Sequence, residues 1–359
     1  MMNDLNSSSS SDEQIFVKNQ LNKMVTFVPN ERAFFNYETK SLNRTYNYLY
    51  NESKCRITLP EISRDSLIIS SLLSIRRLIV RIGVFYETGS SIQLFFGSGL
   101  LLNDKLVLTC AHNFDAIEWE DKPIRHSKIV ICCLDPANES LFSMFNPSDD
   151  LIEAKLFRRG LIQDNMSNYD ESNVNTTDLA ILLLDKPIQS LSSNEFFDPK
   201  LNSLLPKSND IPMNSQLFLI SYNGELTDNN ELNPYKDEKG FENVSIDKLN
   251  FYHNANHKSV SIGRLIQDSP SNDKHVMHSC STLRGSSGGV VLYSTGKFAG
   301  IHIGVANSRK RKHNDVFFNK ETFNKYLPVA STKFRQFIIE SIIPNIDNDT
   351  ADKWQFDSK

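Results

Sequence analysis

The sequence predicts an all-β fold of two antiparallel barrels, followed by a C-terminal helix. Three observations predict it: short β-rich runs separated by turn residues, a break in that series near Pro206, and a helix signal at Ser331. Many short strands at this spacing mark a sandwich or a barrel. Before the break lie Leu78–Tyr86, Ile92–Leu102, Leu106–Thr109, Lys128–Cys133, Leu151–Phe157 and Leu179–Leu184. After it come Gln216–Tyr222, Val260–Ile266, Val290–Tyr293 and Phe298–Val305. Two groups of strands suggest two barrels. Ser331 and Thr332 then precede Phe334, Phe337, Ile338, Ser341 and Ile342, a capping residue followed by apolar residues three and four apart, with Pro344 as the stop.

The 359 residues divide on this basis. Residues 1–20 form a polar, Ser-rich tail expected to be disordered. Residues 21–74 form an N-terminal extension that carries aromatics and fits no fold by pattern. The body runs over 75–343, with barrels at about 75–205 and 206–330 and the helix at 331–343, and 344–359 is a polar tail. Asn223 to Lys258 and Ser308 to Thr322 read as insertions between strands. The second holds Arg309-Lys310-Arg311-Lys312, a solvated loop first and a nuclear-import patch second. Phe317, Phe318 and Phe323 read as loop-packing residues.

Composition narrows the function. A hydrophobic share of 39% is enough to build a core, and a net charge of -4 argues against a nucleic-acid partner. No apolar run approaches the ~20 residues that span a bilayer, so no membrane partner is expected. The first residues show neither a basic region nor an apolar one, so no secretory leader is expected. The five cysteines are odd in number, two are adjacent, and no CxxC pair occurs. Neither a zinc site nor a disulfide framework follows, and His275 and His278 lack convincing co-ligands. No metal and no cofactor are expected. Free thiols place the chain inside the cell, in the cytoplasm with the nucleus as second option.

Three segments carry chemistry. The first is Gly97-Ser98-Gly99-Leu100 with Leu106 through Thr109-Cys110-Ala111-His112. The second is Thr176-Thr177-Asp178-Leu179-Ala180. The third is Thr282-Leu283-Arg284-Gly285-Ser286-Ser287-Gly288-Gly289-Val290. A serine hydroxyl is a weak nucleophile at neutral pH and needs a base beside it. Imidazole, with an ordinary pKa near ~6.5, suits that role. A buried carboxylate then fixes the ring's tautomer. Backbone N–H groups must face the oxygen that becomes negative, and glycines let a chain turn sharply enough to present them.

In the order His, Asp, Ser these segments resemble the chymotrypsin/trypsin superfamily. Thr109-Cys110-Ala111-His112 is similar to its Thr-Ala-Ala-His strand end, Asp178-Leu179-Ala180 to its Asp-Leu-Ala strand, and Gly285-Ser286-Ser287-Gly288 to its Gly-x-Ser-Gly loop. The resemblance implies two six-stranded barrels with a site between them. It also implies a serine endopeptidase acting on proteins or peptides through an acyl-enzyme. Ser287 would be the nucleophile, His112 the base and Asp178 its orienting acid, with an oxyanion hole from the N–H groups of Gly285 and Ser287.

Ser286 stands where digestive members carry the Asp that receives a new N-terminus, and no Ile-Val-Gly-Gly site occurs. Activation by propeptide removal is therefore not expected. The chain resembles more the branch of Deg-type proteases and glutamyl endopeptidases, without room after the helix for the PDZ domain of the former. Ser281 replaces the pocket Asp of trypsin-type enzymes, which disfavours cleavage after Arg or Lys. Thr282, and His302 in Gly300-Ile301-His302-Ile303-Gly304, resemble the S1 pocket of glutamyl endopeptidases. A hydroxyl and an imidazole together can bind a carboxylate or amide oxygen. Cleavage after Glu or Gln, or Asp, is the expectation, with Gln favoured over charged Glu because a long segment precedes the domain. The competing reading makes His302 a core histidine satisfied by its neighbours. At the level of the whole protein, the alternative is a protease-fold binding or regulatory module with a closed or inactive site. An α/β-hydrolase is excluded by chain order, which there runs Ser, Asp, His.

Overall fold

The computed structural model describes residues 33–36, 72, 75, 77–88, 91–117, 127–132, 151–160, 177–188, 216–229, 245–247, 250, 258–267, 275–278, 280, 282–306 and 323–345. The expected tail 1–20, Ser281, the Arg309–Lys312 run, Phe317, Phe318 and residues 346–359 lie outside them.

In chain order the strands are β1 (Ala33–Asn36), β2 (Ile79–Thr88), β3 (Ser91–Leu101), β4 (Leu106–Thr109), β5 (Ser127–Cys132), β6 (Leu151–Arg159) and β7 (Ala180–Leu184). They continue with β8 (Gln216–Tyr222), β9 (Lys258–Gln267), β10 (Val276–His278), β11 (Val290–Tyr293), β12 (Phe298–Ala306) and β13 (Phe323–Pro328). One helix, α1 (Thr332–Ser341), follows.

Strands β2 to β7 close into a barrel in the order β2-β3-β4-β7-β6-β5. Strands β8 to β13 form a second, curled sheet in which β8 pairs with both β9 and β11. Its pairings therefore run full circle. Among the described residues every strand pairing is antiparallel.

Side-chain alternation explains how the lobes meet. On β8, Leu217 and Leu219 join one apolar cluster, while Phe218, Ile220 and Tyr222 join a larger one that includes the first barrel and α1. On β11, Val291 and Tyr293 divide from Val290 and Leu292 in the same way. Successive strand residues point to opposite faces, so a strand buried on both sides must be apolar throughout. That is why these two runs were legible without any alternation in the sequence. Helix α1 starts at the expected cap: Ser331 has φ -68° and ψ 145°, and its hydroxyl accepts from the Phe334 amide at 3.1 Å. Its buried face carries Phe334, Phe337 and Ile338, with Phe334 edge-on to Phe298 at 5.9 Å.

The structure departs from the sequence pattern in three places. β10 and β13 were not expected. β10 has 3 residues, and β13 carries Asn324 and Lys325 and ends at Pro328, so neither shows a β-rich run. Pairing on both sides holds β13 in place. β1, inside the N-terminal extension, adds to β9 with Ala33 opposite Ile262. The helix ends at Ser341, and a short 3-10 turn, Ile343–Asn345, follows in place of continued α-helix.

Candidate active site

His112 lies in a 3-10 turn, Ala111–Ile117, directly after β4. Asp178 lies just before β7. Thr109 pairs with Ala180 across these strands, so residues far apart in sequence meet where one strand ends and the other begins. The Asp178 carboxylate accepts from the His112 backbone N–H at 2.9 Å and faces His112 Nδ1 at 2.7 Å. That contact places the proton on Nδ1 and leaves Nε2 as the free base of a neutral ring.

The two groups tune each other. Burial alone would raise the Asp178 carboxyl, but the charge of His112 and its two hydrogen bonds outweigh burial and hold the group below its ordinary value. Burial alone would lower His112, and the charge and hydrogen bond of Asp178 outweigh it, so the imidazole titrates above its ordinary value. The side chains stay partly open, at 34% and 21% exposure.

Ser287 sits in a loop pinned between the lobes. The Ser98 amide on β3 and the side chain of Asn113, the neighbour of His112, both donate to Ser287 O, at 2.8 and 3.3 Å. The Gly288 amide donates to His302 O, and the His302 amide donates to Gly289 O, each at 2.8 Å. Gly288 has φ +88°, and a Cβ there would lie 1.9 Å from Ser98 O. No residue but glycine fits. Ser98 Oγ closes the joint, donating to Gly285 O at 2.8 Å and accepting from the Tyr222 amide at 2.9 Å.

Within the loop the amides of Ser286, Gly288 and Gly289 donate to protein carbonyls. Among the described residues, the amides of Gly285 and Ser287 donate to none. Also among them, no hydrogen bond joins Ser287 Oγ to the His112 ring; such bonds are often long before substrate binds. Ser286, at the position of the digestive enzymes' Asp, bonds locally instead, its hydroxyl reaching Leu283 O at 2.5 Å.

Cys110, His112 and Asp178 each offer a possible ligand atom, all within 4.8 Å of one another. These atoms are already committed. Burial, and then the charge of Asp178, push the Cys110 thiol well above its ordinary value, and the thiol donates to His302 O at 3.0 Å.

A family model described as a trypsin-like peptidase domain matches residues 97–301. The chain belongs to the trypsin-like peptidases. The match spans both lobes and all three chemical segments. A comparison with curated proteins finds no match. Among solved structures, the chain is similar to the crystal structure of Rv3671c protease in an inactive form. Identity is 12%, over 76% of this chain and 93% of that one, with a TM-score of 0.40.

For a trypsin-like peptidase the expected pocket residues matter next. His302 on β12 is 1% exposed, and its Nδ1 lies 3.1 Å from Nε2 of His278 on β10. The Cys280 amide donates to His278 Nδ1 at 3.2 Å. That bond makes His278 Nδ1 an acceptor, so Nε2 carries the proton and gives it to His302 Nδ1. His302 is therefore neutral with its own proton on Nε2. Burial first, and the charge of His112 second, lower its pKa to about 3, against a hydrogen bond to the Lys325 backbone. His302 is thus buried, paired with a histidine and hydrogen-bonded to the Lys325 backbone, the arrangement that the competing reading describes. Thr282, half-buried, donates to Asn324 Oδ1 at 3.0 Å, and Asn324 Nδ2 donates to Cys280 O at 2.6 Å. Gly304, with φ +114°, faces open space: a Cβ there would meet nothing within 4 Å.

Sequence reasoning missed Asn113, His278 and Asn324 in these roles. His278 was considered only as a metal ligand with His275, whereas its ring pairs with His302. Asn324 lies in the strand that the pattern did not reveal.

Proposed function

We propose that the protein is a serine endopeptidase in which Ser287 attacks the peptide carbonyl and His112 takes its proton. Asp178 keeps the imidazole in the tautomer that leaves Nε2 available and stabilises the imidazolium as it forms. The negative oxygen of the tetrahedral intermediate is received by the amides of Gly285 and Ser287. The leaving amine takes the proton back from His112, and water repeats the sequence on the acyl-enzyme.

The observation that carries this reading is that, among the described residues, the amides of Gly285 and Ser287 donate to no protein carbonyl, while those of Ser286, Gly288 and Gly289 beside them are occupied. A hole for an oxyanion is a place where donors wait for an acceptor. The two-point hold of Asp178 on His112 supports the base.

For substrate choice we favour peptides cut after Gln or Glu. A neutral His302 whose N–H turns from the Lys325 backbone to an entering side-chain oxygen suits either, and a neutral donor gives Gln no disadvantage against Glu. Thr282 and Gly304 belong to the same pocket.

The test is cleavage of a mixed peptide library by the wild type and by Ser287→Ala, read by mass spectrometry. Cuts after Gln or Glu that vanish in the mutant support both parts. Cuts after other residues that vanish in the mutant keep the triad and discard the pocket. Identical spectra from the two proteins sink the serine mechanism, and a protease fold used as a binding module takes its place.

A further inference from the structure

The peptide bond between Arg284 and Gly285 decides whether the oxyanion hole exists. In a trans peptide the C=O and N–H point in opposite directions, so fixing one aims the other. Arg284 O accepts from the Gly224 amide at 2.6 Å. That bond aims the Gly285 N–H to the other side. Gly285 itself resists rotation little: it has φ +89° and no Cβ. A rotated peptide would put a carbonyl where the oxyanion must go, so the setting depends on what holds Arg284.

What holds it is the stretch just after β8. Besides the Gly224 bond, Asn223 Oδ1 accepts from the Leu283 amide at 3.2 Å, and Arg284 Nε donates to Glu225 O at 3.1 Å. Three consecutive residues of one stretch thus grip two consecutive residues of the catalytic loop. Ser286 does not share this task, because its hydroxyl is turned inward onto Leu283 O. Residues 223–228 are not in a strand, so no ladder secures them. One anchor comes from farther along the same insertion. Asn250 Oδ1 accepts from the Leu226 amide at 2.8 Å, and Asn250 Nδ2 donates to Leu226 O at 2.9 Å. One side-chain amide reproduces the paired bonds that a neighbouring strand would give.

We propose that Asn250 is a positioning residue for the reaction: by clasping Leu226 it holds residues 223–225 against Leu283 and Arg284 and keeps the Gly285 amide turned into the oxyanion hole. The insertion between β8 and β9 is then a control element of the active site. A partner or modification that drew Asn250 away would switch off turnover without touching the triad. The proposal rests on the serine-protease reading above.

The test compares full-length wild type, Asn250→Ala, Asn250→Asp and Ser287→Ala on the peptide that the wild type cuts fastest. A peptide aldehyde of the same sequence serves as second probe. Ser287 Oγ adds to its carbonyl carbon, the hydroxyl proton passes to His112, and the carbonyl oxygen becomes the oxyanion. The expected result is a fall in kcat of Asn250→Ala of at least about tenfold with KM within about twofold, since the lost contact acts only on the transition state. Aldehyde affinity falls by the same factor, and affinity for the non-covalent product peptide does not change. Asn250→Asp, which keeps the acceptor and loses the donor, lies between. An unchanged kcat in a folded Asn250→Ala overturns the proposal, as does a rise in KM alone. If Asn250→Ala fails to melt cooperatively, Asn250→Asp is judged by the same split. If both fail, the clasp is structural and the proposal falls. Residual turnover in Ser287→Ala would sink the serine mechanism itself, a result separate from any of these.

Discussion

Asp178 grips His112 at two points, the ring at 2.7 Å and the backbone amide at 2.9 Å, so the carboxylate fixes both the tautomer and the position of the imidazole. Asp178→Asn keeps the shape and removes the charge. The raised pKa of His112 depends on that charge, because burial alone lowers it. Two outcomes follow with opposite senses. In the wild type, kcat/KM rises with pH through an apparent pKa above the ordinary ~6.5 of histidine, since only the neutral ring accepts a proton. In Asp178→Asn that limb moves to lower pH, while the rate on the plateau falls by about 10^4 because the tautomer is lost. pH–rate profiles of both proteins check this. A limb that stays in place would show that Asp178 does not set the His112 pKa.

Gly288 and Ser98 test the seam between the lobes. Gly288→Ala must place a Cβ 1.9 Å from Ser98 O at φ +88°. The left-handed conformation alone costs on the order of 1–3 kcal/mol for a residue with a side chain, and the backbone clash adds to it. Ser98→Ala leaves the Tyr222 amide and Gly285 O without the hydroxyl that bonds both, at a cost of about 1–3 kcal/mol. Urea melts give both losses. Labelling of Ser287 by a fluorophosphonate at equal folded fraction should also slow, because both changes disturb the loop that carries it.

The lobes, the closing helix and the family segments that carry His112, Asp178 and Ser287 were legible because each depends on local pattern. β11 is a continuous apolar run, β4 and β8 are largely apolar, and Ser331 caps α1 through its own side chain. β13 was not legible, since Asn324 and Lys325 interrupt it and its strand state comes from β10 and β12 on either side. The same holds for the pocket. The pairing of His278 with His302 spans 24 residues and arises from β10, β13 and β12 lying side by side, a relation no short window contains. The Asn250 clasp also spans 24 residues and lies inside a stretch that composition marks only as polar.

The imidazoles of His302, buried, and His275, half-buried, predict an acid-sensitive fold. Burial is the first cause in both His302, lowered to about 3, and His275, lowered to about 4. The unfolded chain binds protons at these rings below an ordinary ~6.5, and the native state resists until about 3 and about 4. Between those limits the unfolded state holds more protons, so stability rises with pH there and is lost as pH falls. Tm should decline on acidification from about pH 6.5 toward about pH 4 and change little from these groups above it. His302→Gln should flatten that decline while shifting Tm at neutral pH by its own packing cost. An unaltered slope would mean that His302 charges freely in the native state.

The pocket gives a last prediction with a sign of its own. Cys280, His278 and His302 form a chain of donors that ends with a proton on His302 Nε2. His278→Leu removes the donor that occupies His302 Nδ1 and frees that ring to adopt either tautomer. His302→Leu removes the donor altogether. Both changes should lower kcat/KM for peptides with Gln or Glu at the cleaved position, His302→Leu by at least about tenfold, the scale of one lost buried hydrogen bond. Neither should lower the rate of labelling by a small fluorophosphonate, which reaches Ser287 without filling the pocket. Because His302 stays neutral across the working range, the Gln-to-Glu ratio of the wild type should hold steady from about pH 6 to about pH 9. A ratio that swings toward Glu as pH falls would reveal a charged His302 in the substrate complex. His302 Nδ1 would then also carry a proton and donate to His278 Nε2, reversing the bond between the two rings.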